Sequence, residues 1–231
     1  MKYILTLISG LLLGALLGVA TLYFNPLTGR EAAGTGGAGD WTLSYGSPVS
    51  GGLAFTHSGQ SRLPIHPAGI PELWENTINK MLLSVFPVIS ADGQRGVASR
   101  LSVPSESTEL LRRGLVVSDH WVITIPGEGS LFVDADNNLW PFFKRDVLPV
   151  WYLGRAWSGP RSYSPTAGPG LGHYGIAQGA TGRFAERIGS ATERYHVSKF
   201  NTQRGADEFE AELFVNLPEL TAASAPDELA E

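Results

Sequence analysis

LVVSDHWVITIPGEGSLFV, residues 115–133, decides the fold class. Val116, Val117, Trp121, Val122, Ile123 and Ile125 are β-branched or aromatic, the residue types that fit a pleated surface. Pro126-Gly127-Glu128-Gly129 is turn chemistry and sends the chain back into a second apolar run at 130–133. Outward from this hairpin, the body of the chain (41–217) keeps the same texture of short β-forming runs divided by Gly, Pro and Asn/Asp turns. Strands are expected at 41–45, 52–57, 81–90 and 96–103, the last two joined by a turn at Ala91-Asp92-Gly93-Gln94. A turn is expected at 134–138, with a short strand at 139–143. Near the end, 192–200 and 208–217 flank Gln203-Arg204-Gly205. In the last strand Phe209, Ala211, Leu213 and Val215 alternate with Glu208, Glu210 and Glu212, a face for the core and a face for water.

Two short helices are expected. At 71–83, Leu73, Trp74, Ile78, Met81 and Leu82 fall near one helical face, with Pro71 in the first turn. At 105–113, Ser105 is a cap, Glu106 and Glu109 suit the N-terminus, Arg112 and Arg113 the C-terminus, and Gly114 ends the helix. The fold class is thus mainly β: an antiparallel barrel or strongly curved sheet with two short helices, a β-sandwich being the alternative.

One N-terminal transmembrane helix precedes this body. Residues 3–24 carry no charge, and a helix of that length spans roughly 33 Å, against about 30 Å of bilayer hydrocarbon. Tyr3, Tyr23 and Phe24 lie near its ends, where amphipathic rings prefer to sit, and Asn25-Pro26 stops it. Gly18-Val19-Ala20 offers a signal-cleavage site, but apolar residues continue through Phe24, which favours a retained anchor over 1–24. Lys2 and the free amine outweigh the distant Arg30, so the N-terminus is expected in the cytoplasm. The main domain then lies on the periplasmic or extracellular side of the inner membrane. Gly10, Gly14 and Gly18 recur every four residues and form a strip without side chains, suited to close packing against a second copy or another membrane protein. Residues 25–40, rich in Gly and Ala, read as a tether, and the acidic stretch 218–231 as a tail.

The net charge is −5, from 17 basic and 22 acidic residues. Residues 1–40 balance and the tail holds four acids, which leaves the body almost neutral. Such a body gives no electrostatic case for nucleic acid. The chain has no cysteine, which excludes disulfides, Cys-ligated metals, thiol catalysis and a Cys-linked lipid anchor.

Few motifs carry chemistry. Gly170-Leu171-Gly172-His173-Tyr174-Gly175 matches GxGxxG, but the flanking residues are neither a buried strand before it nor a helix after it, as dinucleotide binding requires. Asp134-Ala135-Asp136-Asn137-Asn138 begins like a calcium loop, yet Leu139 and Arg145 stand where Gly and a bidentate acid belong. The five histidines are dispersed, and Asp119 and His120, adjacent in a strand, point to opposite faces. No catalytic or metal-ligating residue is assigned, and nothing calls for a cofactor. The least ordinary stretch is 140–174, where Trp140, Trp151, Tyr152, Trp157, Tyr163 and Tyr174 interleave with Arg155 and Arg161. This composition suits a core edge, a partner surface or a small-ligand site.

Residues 178–191, QGATGRFAERIGSA, resemble the turn–strand signature of the allene oxide cyclase and dirigent-like barrels, through Gly179, Thr181, Gly182, Phe184, Gly189 and Ala191. Ala180 and Glu186 depart from the pattern. The resemblance covers these residues alone and carries over no catalytic group. It implies a small antiparallel barrel whose apolar interior holds a lipid-like or phenolic molecule. The sequence points first to a membrane-anchored extracytoplasmic accessory or scaffold subunit without catalysis of its own. The alternative is a barrel that binds or isomerises an apolar small molecule.

Overall fold

The computed structural model describes residues 2–25, 41–49, 51–56, 72–73, 80–154, 156–201 and 205–218. The expected tether beyond Asn25 and the acidic tail beyond Pro218 lie outside the described residues.

Lys2–Phe24 forms one helix, α1, apolar on all sides, with a mean hydropathy of 2.1 over Thr6–Phe24. It has the length and composition of a membrane span, which a signal sequence shares.

The body is β-rich. In chain order the strands are β1 (Trp41–Tyr45), β2 (Leu53–Thr56), β3 (Glu72–Leu73), β4 (Met81–Ser90), β5 (Arg95–Pro104) and β6 (Val116–Ile125). They continue with β7 (Gly129–Asn138), β8 (Trp157–Tyr163), β9 (Thr166–Gly168), β10 (Gly175–Gly179), β11 (Ile188–Asn201) and β12 (Gly205–Asn216). Antiparallel neighbours run β1-β12-β11-β10-β7-β6-β5-β4, and β4 pairs back onto β1. The result is a closed eight-stranded barrel. On one edge of β1, Trp41 faces Val215. On the other, Leu43 faces Ser90. Closure leaves these strands no free edge at β1, the point where an open sheet would template aggregation.

Period-two alternation fixes what goes inside. Trp121, Ile123 and Ile125 on β6, Leu131, Val133 and Ala135 on β7, and Ala211, Leu213 and Val215 on β12 are buried. The alternation of the last strand and the turns at 91–94 and 126–129 are as the sequence indicates.

The two short helices are elsewhere. They are α2 (Trp140–Phe142) and α3 (Leu148–Leu153), joined by a π-helical turn, Phe143–Val147. Of the helix expected at 71–83, residues 71 and 74–79 lie outside the described residues, and the described ends are strand: β3 occupies Glu72–Leu73 and β4 begins at Met81. Leu82 gains pairing on both edges, to β2 and β5, and Met81 pairs with β2, and this overrides their helical spacing. The helix expected at 105–113 is a loop of turns. Ser105 Oγ accepts from the near Ser107 N–H (3.2 Å) rather than capping a full turn, and the Gly114 N–H closes onto Glu109 O (2.7 Å). Pairing of Pro104 with Val117 forces the chain to return at once. The turn expected at 134–138 is the second half of β7. Its polar side chains find partners across the outer face of the strand pair, Asp134 with His120 (2.6 Å) and Asp136 with Ser118 (2.6 Å). The strand expected at 139–143 is the start of the helical segment.

The barrel has two unlike ends. One is closed by the glycine-rich stretch after β10. Here Phe184 is fully buried and meets Trp41 edge-on, at 5.0 Å. A Cβ at Gly179 would overlap the carbonyl of Phe184, and one at Gly189 the carbonyl of Asn216. Gly179→Ala is therefore expected to destabilise the protein by about 3 kcal/mol. Gly93→Ala, at a turn with φ +80° and open space around it, should cost about 1 kcal/mol. Denaturant unfolding followed by circular dichroism checks the pair. Equal effects would show that the closed end is not backbone-packed as described.

Candidate functional site

The other end holds a buried polar cluster. Each member sits in phase with apolar neighbours on its strand: Asp119 with Trp121 and Ile123, Asn137 with Val133 and Ala135, Glu193 with Ala191 and Val197. Alternation alone therefore carries these side chains into the lumen, along with Tyr45, Arg100 and Tyr195.

Glu193 is the centre. Its carboxyl is fully buried and accepts from Tyr45, from Tyr195 Oη (3.0 Å) and from Asn137 Nδ2 (2.5 Å). Arg100 Nη1 lies 3.7 Å from its Oε1. Asn137 Nδ2 also reaches Asp119 Oδ2, at 2.6 Å, and Asp119 accepts from Ser102. The Glu193 backbone N–H donates to Thr166 Oγ1 on β9, at 2.8 Å. The Arg100 guanidinium stacks over Trp121 (5.0 Å) and Phe86 (5.1 Å). Its side chain keeps 15 % of its exposure while that of Glu193 keeps none, so the cluster opens to the outside over Arg100.

The charge balance is uneven, with two carboxyls against one guanidinium. Burial pushes the Glu193 carboxyl above the usual carboxylate range. Arg100 pulls it down, and Asp119 pushes it further up. Burial and the nearby Glu193 charge raise both tyrosine hydroxyls well above their ordinary value, so they remain donors. For Arg100, burial works against the charge, but the nearby carboxyls, Asp119 foremost, outweigh it and the guanidinium stays protonated. The hydrogen bonds from Tyr45 and Tyr195 also pull the Glu193 carboxyl down, but burial wins and the net direction is upward.

Four buried polar atoms in this region have no hydrogen-bond partner among the described residues: Ser84 Oγ, Arg100 Nε, Trp121 Nε1 and Asn137 Oδ1. Ser84 pairs in register with Arg100, and Arg100 with Trp121. Three of the four thus belong to residues paired at one level on adjacent strands. Native interiors rarely leave such groups unused without a functional reason.

The aromatic stretch 140–174 is divided among several places. Trp140 is buried against Phe143, with ring centroids 5.7 Å apart. Arg161 lies over the Trp157 ring, at 3.9 Å, and pairs with the buried Asp146, which also accepts from Tyr163. That trio ties the π-helical turn to β8 and caps part of the open end. Trp151 and Tyr152 are exposed on α3, Tyr174 sits in the loop before β10, and Arg155 lies outside the described residues. Among the described residues, no group of three or more His, Asp or Glu side chains is placed to hold a metal ion. Gly170–Gly175 is a loop leading into β10, with no helix after it. The outer His120 and the inner Asp119 face opposite ways, as expected for strand neighbours.

A folded pKa above the unfolded one makes the protonated form of Glu193 the stabilised one. Its contribution is full below the unfolded value of about 4.3 and is lost as pH rises through the folded value. Glu193→Gln should remove this slope. Thermal unfolding at a series of pH values should give a midpoint that falls with rising pH above about 4.3 in the native protein, and a flatter profile in the variant. Identical profiles would rule out a proton held on Glu193. Comparison with protein-family models, curated proteins and solved structures gives no match to the chain.

Proposed function

We propose that the barrel binds a largely apolar small molecule carrying one carbonyl or hydroxyl oxygen, held at the open end of the lumen. The observation that carries this reading is that three buried donors without a partner among the described residues, Ser84 Oγ, Arg100 Nε and Trp121 Nε1, belong to residues paired at one level of the wall. An oxygen acceptor placed there satisfies groups whose burial is otherwise costly, by about 1–3 kcal/mol each. Asp119 already counters the Arg100 charge, which favours a neutral oxygen over a second anion. The apolar lining below supplies the remaining affinity. A proton on Glu193 beside a polarised carbonyl also suits acid–base chemistry, isomerisation included. The resemblance of 178–191 to the allene oxide cyclase and dirigent-like barrels implies the same ligand class. In this reading α1 is a retained anchor in the inner membrane, with its N-terminus cytoplasmic and the barrel on the periplasmic or extracellular side.

The test compares 2-undecanone with undecane by calorimetry on the full chain in detergent micelles, with empty micelles as the blank. The ketone should bind at least about tenfold tighter, the worth of one good hydrogen bond, and Trp121→Phe should narrow that gap. No preference for the ketone would sink the proposal.

A docking role in a membrane complex is a second reading, favoured by the glycine strip of α1. Nothing lies within 4 Å of a Cβ placed at Gly10, Gly14 or Gly18, so a partner helix has free access to that face. Gly14→Leu is expected to abolish co-purification of a partner, or of a second tagged copy, in mild detergent. Unchanged association would remove this reading and leave the lumen site untouched.

A further inference from the structure

A cleft of about 600 Å³ lies outside the barrel at its open end. Its floor is the outer face of β6 and β7. One wall is the loop 105–114 and the other is the loop 169–173. Ser107, Arg112, Arg113 and His173 line it, with Asp136 as the one acid. Among the described residues neither Arg112 nor Arg113 forms an ion pair, and both are exposed. Leucines stand on the rim. Leu171 is 99 % exposed, Leu111 57 % and Leu110 46 %. Leucines in water beside unpaired arginines are an unusual combination for a free surface, but an ordinary one where a protein meets lipid, with apolar groups below the headgroups and cations at their level.

The position of this cleft relative to α1 names the occupant. Asn25, the first residue after α1, donates from Nδ2 to the carbonyl of Leu111, at 2.7 Å. The residue that ends the apolar helix is therefore bonded to the loop that bears both arginines. α3 emerges from the same end of the barrel and leaves Trp151, Tyr152 and Leu153 exposed, rings and chain of the kind that settle at a bilayer interface.

We propose that this cleft takes the phosphate of a bilayer phospholipid, held by Arg112 and Arg113, and that the open end of the barrel thereby rests on the membrane surface. The proposal depends on α1 spanning the membrane and is independent of the lumen site. Guanidinium groups suit phosphate because their planar fork matches its oxygens.

Because the chain lacks cysteine, single reporter sites are clean. The full chain carrying Leu171→Cys or Ile188→Cys is spin-labelled and placed in nanodiscs of phosphatidylcholine and phosphatidylglycerol. Ile188 is also exposed but sits at the closed end. Accessibility to oxygen and to a water-soluble nickel chelate should place the Leu171 label at headgroup depth and the Ile188 label in water. Adding Arg112→Gln and Arg113→Gln should move the Leu171 label toward water, with the circular dichroism spectrum unchanged, since both arginines are exposed. Water-like accessibility at both positions, or a Leu171 depth indifferent to the arginine changes, overturns the proposal.

Discussion

β1 is only five residues long, yet it hydrogen-bonds on both edges, to β12 and to β4. That double pairing turns a ladder of strands into a tube, and it sets the terms for everything inside. Once the tube is closed, every second residue of each strand faces a lumen sealed from bulk water along its length. An apolar side chain there adds to the core. A charged one must find partners or give up its charge. Glu193 does both: two tyrosines, an asparagine and an arginine surround it, and its carboxyl is pushed toward the protonated form.

The lumen is accordingly divided. Toward the closed end Leu43, Ile123, Ile125, Leu131, Leu213 and Phe184 pack with no polar atom among them. Toward the other end the interior is made of Ser84, Arg100, Asp119, Asn137 and Glu193. The division is also one of rigidity. Gly179 and Gly189 bring backbone against backbone at the closed end, where not even a methyl group fits. The open end is bounded by longer segments, the 105–114 loop and the helical stretch 140–153. Apolar packing and buried polar groups are thus segregated into opposite halves of one interior.

Much of this was legible in the sequence because strand alternation is a local signal. The run 115–133 gave its hairpin directly, and the last strand gave its wet and dry faces through Phe209, Ala211, Leu213 and Val215. The two misplaced helices show where local signals fail. Ser105, Glu109 and Gly114 form a sound set of helix caps, but they serve a loop whose ends are held by the pairing of β5 with β6. Met81 and Leu82 fall on a helical face, but a strand between two partners gains more. The polar cluster was visible only as an exception to alternation: Arg100, Asp119, Asn137 and Glu193 stand in phase with buried residues. Seeing it as a site required knowing that four separate strands curve around to face each other, which no spacing in the chain reveals. The aromatic stretch 140–174 was conspicuous by composition, yet the fold scatters its residues among several places.

The double pairing of β1 also bears on how the protein is made. Trp41 pairs with Val215, about 170 residues away, so the tube cannot close until residues 211–215 have been synthesised. β1 can pair early with β4 on one edge, while its other edge waits as the intervening strands pair with their sequence neighbours. During that interval the half-built sheet offers the unpaired backbone that the finished barrel conceals. A five-residue strand is thereby the last to have both edges satisfied, and the period of greatest exposure to misassembly ends only with the arrival of residues 211–215.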